Sequence, residues 1–368
     1  MKVAILTSSH STFDSRIFHK QARSLAEAGY DVTLITPHTE NTEQYNVKIH
    51  AVGTEDVETA GIRDAHAVYR AAKVIDADIF HLHDPGLLPF GLLLTFTTDA
   101  KVIYDHHEQY TKAFRRYNFP PDVLNPLVSL YPTMQSLVCR RFDAIVTTTE
   151  EAAADFQRRG HATVVPIRNF PITGDISITQ PPINRSAKHL LVYVGGLDET
   201  RGFEEMLCLI SKLVERGMDI EAWMIGPINE EKKQVADEIG VSESVEFIGQ
   251  VPHEEVFSYL HEGDIGLALL DPERFEQDIP LKLFEYMYSE LPVVTTPIGA
   301  SSKFIREEWG VIVPFDDVET QADEVAALLD DPERAQTMGR KGREMVETEF
   351  SWENEKERLL DLYREVCE

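Results

Sequence analysis

The chain has 368 residues, of which 43% are hydrophobic, and its formal net charge is −28 at pH 7. This length exceeds what one ordinary hydrophobic core accommodates and predicts two domains. The strong negative charge argues against non-specific nucleic-acid binding, because a phosphate polymer would be repelled, and no apolar run approaches the ~18 residues that identify a transmembrane helix.

The charge is unevenly distributed along the chain. Residues 1–170 contain 17 basic and 20 acidic side chains, whereas residues 171–368 contain 18 basic and 43 acidic ones. The first half alone can therefore approach an anionic surface. The first residues indicate a β-strand and not a secretory signal. Three scattered cysteines, Cys139, Cys208 and Cys367, predict neither a disulfide framework nor a zinc site. We expect a cytoplasmic protein.

The first half alternates short runs rich in Val and Ile with helical patterns, which predicts βαβ units around a parallel sheet. The predicted strands are residues 3–7, 32–36, 47–52, 79–83, 102–105, 144–147 and 163–167. The predicted helices are residues 15–28, 62–75, 86–96, 123–141 and 150–158. Parallel sheets bind ligands beyond the carboxyl ends of their strands, so the residues that follow each strand are candidates for a site.

Polar residues follow three of these strands. They are Ser8, Ser9 and His10 after the first, His83 and Asp84 at the fourth, and His106, His107 and Glu108 after the fifth. Together they can form a wall of hydrogen-bonding groups for a polyhydroxylated ligand, although each histidine by itself fits a capping or core role. They lack the short-range spacing of a metal-binding motif.

Residues 171–188 contain Pro, Gly, Asn and Ser without periodicity, which predicts a linker. A new strand, residues 189–194, then precedes Gly195 and Gly196, where the backbone can approach a ligand closely. Arg201, near the next helix start, can clamp a diphosphate. Further predicted strands end near residues 225 and 249 or span residues 265–270 and 292–295.

A helix is predicted to begin near Asp278, which can cap it, with Pro280 in its first turn. Lys282 and Glu285 then lie on nearly one face, at a helix start that favours anions. This arrangement indicates a phosphate-bearing ligand whose ribose is bonded by Glu285. A surface Lys–Glu pair on an ordinary amphipathic helix is the alternative. From residue 319 the chain is mostly helical, with an amphipathic tail over residues 352–366.

Five segments together resemble family 4 of the retaining glycosyltransferases, the group 1 glycosyltransferases of GT-B fold. They are HSTFDSRIF from His10, HLHDP from His81, YDHHE from Tyr104, VGG with the later RG from Val194, and PLKLFEYM from Pro280. The resemblance implies an α/β fold of two Rossmann-like, doubly wound domains facing across a cleft, with a C-terminal helix packing back toward the N-terminal domain. The expected parts are an acceptor-binding domain (1–170), a linker (171–188), a nucleotide-sugar-binding domain (189–350) and the helix (351–368).

The resemblance further implies a retaining hexosyltransferase that moves a sugar from a nucleoside diphosphate sugar, most often a UDP-sugar in this family, to a glycan or lipid-linked acceptor. The second glutamate of the family's Glu-x7-Glu motif binds the donor ribose and matches Glu285. The first falls on Gln277, so the sugar contacts are expected from Gln277, Glu276 or Asp278. The family's two diphosphate cations match Gly196 and Arg201, and Lys282 is expected to replace the missing one.

The implied donor-binding residues are Gly195, Gly196, Arg201, Gly249, Val251, Glu276, Gln277, Asp278, Leu281, Lys282 and Glu285. The implied acceptor-side residues are His10, Arg16, His83, Asp84 and His107. The expected catalytic residues are His107, Glu108, Arg201 and Lys282. The two cations stabilise the departing phosphate, which removes the need for a metal or another cofactor. His107 orients the sugar or lines the acceptor path, and Glu108 or Asp84 holds His107 or the acceptor hydroxyl.

Two other classes of protein remain compatible with these motifs. They are a GT-B-like epimerase acting on a nucleotide sugar, and a non-catalytic nucleotide-sugar-binding partner, which Gln277 and Gly196 suggest. The basic and apolar residues Lys112, Arg115, Arg116 and Tyr117, with Arg140 and Arg141, suggest peripheral contact with the inner face of the cell membrane. Surface arginines paired with acidic residues explain them equally well.

Overall fold

Parallel β-sheets form the centre of both halves of the chain. The computed structural model describes residues 1–53, 61–107, 121–174, 178–276 and 279–368. The chain divides into two compact units. The first unit consists of Met1–Asn169 with Glu355–Glu368, and the second consists of Phe170–Asn354.

The first unit contains, within the described residues, an eight-stranded sheet in the order β3-β4-β2-β1-β5-β6-β7-β8. The strands are β1 Lys2–Leu6, β2 Asp31–Thr36, β3 Thr42–Gln44, β4 Val47–Ala51, β5 Ile79–Leu82, β6 Lys101–His106, β7 Ala144–Thr147 and β8 Val164–Pro166. All neighbours are parallel except β3 and β4. The central strands are buried on both faces, which explains their nearly continuous apolar sequences.

Helices cover this sheet between the strands. They are α1 (Ser15–Ala22, with π-type hydrogen bonding, continuing as Arg23–Glu27), α2 Ile62–Ala72, α3 Leu88–Thr97, α4 Pro121–Cys139 and α5 Glu150–Arg158. The strand register pairs Leu6 with Leu82, and Leu82 in turn with Tyr104. The carboxyl ends of β1, β5 and β6 therefore meet at one sheet edge, which brings together the polar residues that follow them.

The second unit contains, in the part that is described, a six-stranded parallel sheet in the order β11-β10-β9-β12-β13-β14. Its strands are β9 His189–Val194, β10 Ile220–Ile225, β11 Val245–Gly249, β12 Ile265–Ala268, β13 Val293–Thr295 and β14 Gly310–Ile312. Its helices are α6 Phe203–Glu215, α7 Glu230–Ile239, α8 His253–Leu260, α9 Leu281–Tyr288, α10 Val318–Asp330 and α11 Pro332–Thr348. Two separate apolar clusters pack against the sheet, as in a doubly wound domain.

The last helix, α12 Trp352–Cys367, packs against the first unit from Glu355 onward. Glu355 accepts hydrogen bonds from the Arg168 backbone at 2.8 Å and side chain at 3.1 Å. The Tyr363 hydroxyl is 2.9 Å from Nδ1 of His81, which lies in β5. These contacts confirm the expected return of the C-terminal helix to the N-terminal domain.

Several details differ from the sequence-based expectations. The short strands β3 and β14 are not among the predicted strands, because β3 carries only exposed polar residues and β14 begins with a glycine, a residue that is depleted in strands. Pro280 occupies the cap position before α9 and not its first turn. The described part of residues 171–188, for which the sequence predicts a linker, falls within the second unit, where Glu221 accepts hydrogen bonds from the Ser186 and Ala187 backbones. Among the described helices, none has the length and apolarity needed to cross a bilayer.

Candidate functional site

Lys282 places a buried cation at the start of α9 in the second unit. Its stem is partly exposed, but its Nζ atom is buried and has no hydrogen-bond partner among the described residues. This Nζ atom lies 3.9 Å from the centroid of the Tyr193 ring, a cation–π contact. Burial, and then the charge of Arg201, lower the pKa of Lys282 to about 7, whereas Glu285 opposes the shift. An anion that reached the amine would favour its charged form.

Gly195 makes room for this amine at the end of β9. A Cβ atom at position 195 would lie 2.8 Å from Lys282 Nζ and 3.3 Å from Tyr193 Oη. The φ angle of +135° at Gly195 also disfavours any L side chain. The Tyr193 hydroxyl donates to the Gly196 carbonyl at 2.6 Å, which fixes the ring beneath the glycine pair. The strand end is therefore shaped around the Lys282 amine.

Arg201 occupies the space beside Gly196. A Cβ atom at position 196 would lie 2.3 Å from Arg201 Nη1, so a side chain there would displace the guanidinium. Arg201 Nη1 donates to Asp198 Oδ2 at 2.7 Å. Burial opposes ionisation of Asp198, but a hydrogen bond from Thr200 and the charge of Arg201 outweigh it and lower the pKa of Asp198. The missing cation at position 196 thus has a physical reason, because Arg201 covers that backbone.

Gly249 lies on the same sheet edge as Gly195. The Gly195 amide donates to the Ile225 carbonyl at 2.9 Å, and the Gly226 amide donates to the Gly249 carbonyl at 2.9 Å. Gly249 has a φ of +83°, and no described atom approaches within 4 Å of its Cβ position. Val251, which follows, packs against the apolar cluster of the second unit.

The remaining predicted donor residues surround α9. Glu285 is buried one turn after Lys282 and influences the pKa of that lysine, so the two lie close together. Leu281 is half-buried at the first position of the helix, and Glu276 is exposed. Gln277 and Asp278 lie outside the described residues, as does Glu108 of the first unit. The structure thus brings together Gly195, Gly196, Arg201, Lys282 and Glu285, and Gly249 ends β11, which is separated from β9 by β10.

In the first unit, Asp84 is buried and surrounded by hydrogen-bond donors. It accepts from the Ser8 backbone and from the Ser8 hydroxyl at 3.1 Å, from the Ser9 hydroxyl at 2.6 Å, and it pairs with His10 Nδ1 at 2.8 Å. Burial acts against ionisation, but the charge and hydrogen bond of His10, with those of Ser9 and Ser8, lower the pKa of Asp84 below its usual range. Asp84 is therefore an ionised carboxylate that fixes the loop after β1.

Asp105, the second buried carboxylate, is held by α1. Arg16 donates to its two oxygens from Nε at 3.0 Å and from Nη2 at 3.1 Å, and Gln21 Nε2 donates at 2.6 Å. Arg16 also donates to the Ile167 carbonyl at 3.0 Å. Burial opposes ionisation of Asp105, but Arg16 and then His107 hold its pKa well below the usual range. Arg16 is thus a buried structural cation at this edge.

His10 and His107 bridge these two carboxylates. The Nε2 atoms of the two rings are 3.3 Å apart. His10 Nδ1 faces Asp84, and His107 Nδ1 is 3.3 Å from Asp105 Oδ1. Both side chains retain a small exposed fraction, 13% for His10 and 11% for His107. An Asp–His–His–Asp chain therefore reaches the surface at the sheet edge.

His81 and His83 lie behind this chain and are fully buried. Burial lowers the pKa of His81 to about 4 and that of His83 well below its usual value, so both are neutral at pH 7. Potential ligand atoms of His81, His83 and Asp105 lie within 4.8 Å of one another. A metal fits them poorly, because Asp105 already accepts from Arg16 and Gln21, and the guanidinium would repel a cation.

Sequence reasoning missed three side chains that shape these sites. Tyr193 and Asp198 position the cations of the second unit, and Gln21 holds Asp105. Tyr193 precedes the glycine pair in the strand, and Asp198 stands three residues before Arg201, but such spacings are common and identify no site. His106, in contrast to His107, contacts Gln135 at 3.2 Å and turns toward the core.

Comparison with protein-family models gives two matches. Residues 15–170 match the model of "Glycosyltransferase Family 4", and residues 177–345 match that of "Glycosyl transferases group 1". Together the matches cover most of both compact units.

Individual proteins are similar at low identity. Alpha-D-kanosaminyltransferase from Streptomyces kanamyceticus is 25% identical over 180 residues, which are 48% of this chain and 46% of that protein. The chain thus spans about half the length of the first curated relatives it matches.

Sucrose-phosphate synthase from Thermosynechococcus elongatus has a similar structure, with a TM-score of 0.77 and 16% identity over 100% of this chain and 99% of that one. HepE from Anabaena in complex with UDP-glucose gives a TM-score of 0.71 and 13% identity over 99% and 100% of the two chains. These structures confirm a GT-B-like fold.

Proposed function

The chain belongs to family 4, the group 1 glycosyltransferases, and we propose that the protein is a retaining hexosyltransferase. It transfers a sugar from a nucleoside diphosphate sugar to a hydroxyl of a glycan or a lipid-linked acceptor. The donor binds the second unit, and residues of the first unit contact the acceptor. The observation that carries this proposal is the buried Lys282 amine beside Gly195 and Arg201, which has no hydrogen-bond partner among the described residues.

A diphosphate is the ligand that best suits this cation pair. The Lys282 amine lacks a hydrogen-bond partner within the described structure, and burying an unpaired amine is costly unless an anion compensates it. The Arg201 guanidinium is partly exposed and pairs with Asp198 only through Nη1 in the contacts described. It therefore has further donors for phosphate oxygens. The backbone at Gly195 and Gly249 can approach the ligand closely.

The chemistry follows from the position of these charges. As the glycosidic bond of the donor breaks, negative charge accumulates on the departing diphosphate. Lys282 and Arg201 stabilise that charge and thereby lower the barrier. The buried Glu285 carboxylate, on the same helix as Lys282, accepts hydrogen bonds from the ribose hydroxyls. Gln277, Glu276 or Asp278 contact the transferred sugar, and the cations make a metal unnecessary.

The polar sheet edge forms the acceptor side, through His10, Arg16, His83, Asp84 and His107. Glu108, which lies outside the described residues, remains a predicted partner of His107 or of the acceptor hydroxyl. Arg16 and Asp84 act by holding the carboxylate and histidine framework, because their polar atoms already bind protein groups. His107 and His10 are the partly exposed members that reach a ligand. His107 orients the sugar or the acceptor hydroxyl, whose proton passes to the departing phosphate.

A UDP-sugar is the proposed donor, supported by the similar structure of HepE with UDP-glucose. The uracil lies against the backbone of Gly249 and Val251. Binding of UDP, GDP and ADP and of their sugars, measured by thermal shift and calorimetry, tests this proposal, followed by transfer assays with the stabilising donors. We expect UDP to stabilise the protein most. Failure of every nucleoside diphosphate to bind contradicts the donor site, and isomerisation of the donor without acceptor would favour an epimerase.

An apolar surface of the first unit supports membrane contact. It consists of exposed apolar side chains that recur at helical spacing along the adjacent helices α3 and α4. These side chains are Leu93, Phe96, Leu130, Met134 and Leu137. Arg141 lies over the Phe96 ring at 5.7 Å, so a basic group borders the apolar one. We place this surface on the inner face of the cell membrane, in a cytoplasmic protein, because apolar side chains next to arginines suit an anionic bilayer. The basic residues 112–117 lie outside the described residues.

Flotation with liposomes tests the membrane contact. We expect binding to vesicles that contain anionic lipid at low salt, and weaker binding of the Phe96→Ser/Met134→Ser variant. The Val74→Ser variant, which alters an exposed apolar residue elsewhere in the first unit, serves as the control. Absence of flotation at low salt would exclude the contact.

A further inference from the structure

The chain of four side chains Asp84, His10, His107 and Asp105 contains three close polar contacts. They join Asp84 to His10 at 2.8 Å, His10 to His107 at 3.3 Å, and His107 to Asp105 at 3.3 Å. Each contact needs one proton between its two atoms. Two neutral imidazoles supply only two N–H groups, because each carries a single ring proton. One contact of a neutral pair would therefore set two lone pairs against each other.

A third proton satisfies all three contacts at once. Both Nδ1 atoms then donate to the carboxylates, and the additional proton lies between the two Nε2 atoms. The Nδ1 atom of His10 is also 3.1 Å from the Thr7 hydroxyl oxygen, which can accept a hydrogen bond from it. The geometry thus favours the tautomers in which each Nδ1 is protonated and the Nε2 atoms compete for one proton.

The charges around the pair lead to the same number of protons. Asp84 and Asp105 are both buried and ionised, as their lowered pKa values indicate. Arg16 neutralises one of them by donating to both oxygens of Asp105. The second negative charge has no comparable cation among the described neighbours. A single positive charge on the histidine pair balances it, whereas two would exceed it.

Among the described residues, the other titratable groups near the pair do not alter this count. His81 and His83, from β5 and its end, are neutral because they are fully buried. His106, from β6, is neutral as well, since burial lowers its pKa to about 4. Arg16, from α1, is always charged. Glu108 follows His107 but lies outside the described residues.

We propose that His10 and His107 bind one proton in common between their Nε2 atoms, and that His10 is a positioning residue for His107. The shared proton holds the His107 ring in place between His10 and Asp105. When it is lost, three contacts share two protons and the His107 ring is released. The effect of this on turnover rests on the proposed glycosyltransferase function, whereas the shared proton itself does not.

Nitrogen-15 NMR of the full chain with labelled histidines measures the shared proton without any ligand. We expect the two rings to take up one proton as a pair at neutral pH and a second one only in strongly acidic solution. In Asp84→Asn that proton should be lost at lower pH, because removal of a neighbouring anion disfavours the charged pair. Asp76→Asn, which alters an exposed carboxylate of the same unit, should leave the titration unchanged.

His10→Asn provides a second variant at a partly exposed position, in case Asp84→Asn does not fold. It should lower the pH at which His107 releases its Nε2 proton, because this proton no longer has Nε2 of His10 as its acceptor. Two rings that titrate independently near the ordinary value of about 6.5 would overturn the shared proton, as would unchanged titration of His107 in His10→Asn.

The positioning role is tested by the pH profile of kcat in the transferase assay. His10→Asn should reduce kcat about tenfold, because the loss of one hydrogen bond of ordinary strength to His107 raises the barrier by about 1.4 kcal/mol, and it should shift the alkaline limb of the profile to lower pH. Nucleoside diphosphate affinity should not change, because the donor residues belong to the second unit. A profile identical to that of the unaltered enzyme would overturn the positioning role. If the unaltered enzyme shows no transferase activity but the NMR titration shows the shared proton, the proposed function is contradicted and the shared proton is not.

Discussion

The Lys282 amine lies 3.9 Å from the centroid of the Tyr193 ring and has no hydrogen-bond partner in the described part of the chain. The ring supplies only a weak electrostatic partner, and Gly195 leaves the position above it without a side chain. An amine held in this way is prepared for an anion from outside the protein.

Replacing Lys282 by Met should weaken UDP binding while preserving the fold. A hydrogen bond to a charged group contributes about 1.5–3 kcal/mol, which corresponds to a loss of affinity of about ten- to a hundredfold. Isothermal calorimetry measures it. Lys233→Met is the matched control, because Lys233 is a surface lysine paired with Glu230 on α7. Equal affinity of Lys282→Met and the unaltered protein would exclude Lys282 from the donor site.

Binding of UDP should be accompanied by proton uptake at pH 8. The pKa of Lys282 is about 7 without ligand, so the amine is mostly neutral at pH 8, and a bound diphosphate raises its pKa. The contribution of Lys282 to the affinity for UDP should therefore fall as the pH rises above 7. It should be constant well below pH 7, where the amine is already protonated. Calorimetry in buffers of different ionisation enthalpy counts the protons. Lys282→Met should show no uptake, and uptake that persists in this variant would assign it to another group.

Gly195→Ala should weaken UDP binding, since its Cβ atom would lie 2.8 Å from Lys282 Nζ and the amine would have to move. Gly160→Ala has a comparable left-handed backbone, with φ of +90°, but no described atom within 4 Å of the new Cβ. It controls for backbone strain alone. Thermal unfolding should show similar destabilisation of the two variants, and only Gly195→Ala should lose affinity. Normal binding by Gly195→Ala would show that the space beside the amine is not used.

Tyr363→Phe should destabilise the first unit. It removes the hydroxyl 2.9 Å from His81 Nδ1 and leaves a buried ring nitrogen without that partner, at a cost of about 1–3 kcal/mol. Chemical denaturation measures the change. Tyr30→Phe serves as the control, because the Tyr30 ring packs against Tyr363 with its centroid 5.6 Å away and does not carry the bond to His81. Equal stability of the two variants would indicate that α12 contributes through apolar packing alone.

Much of the fold could be predicted from the sequence, because strands buried on both faces must be apolar. Helices at the surface must carry apolar residues on one face and polar residues on the other. The runs that became β1, β5, β7 and β9 were recognisable for the first reason. The edge strand β3 was not, since its three exposed residues carry no such signal. Its pairing with β4 comes from tertiary contacts.

The order of strands and helices and the glycines at strand ends are readable from the sequence, as are the candidate residues Arg201, Lys282, Glu285, His10 and His107. Which of these side chains meet, and which of them carry a charge, depends on the folded chain. The fold set Arg201 over Gly196, buried Lys282 against Tyr193, and joined two histidines 97 residues apart between two carboxylates. The physical reason is that pairing and burial, which fix the charge of a side chain, depend on neighbours distant in sequence, whereas spacing records only neighbours along the chain.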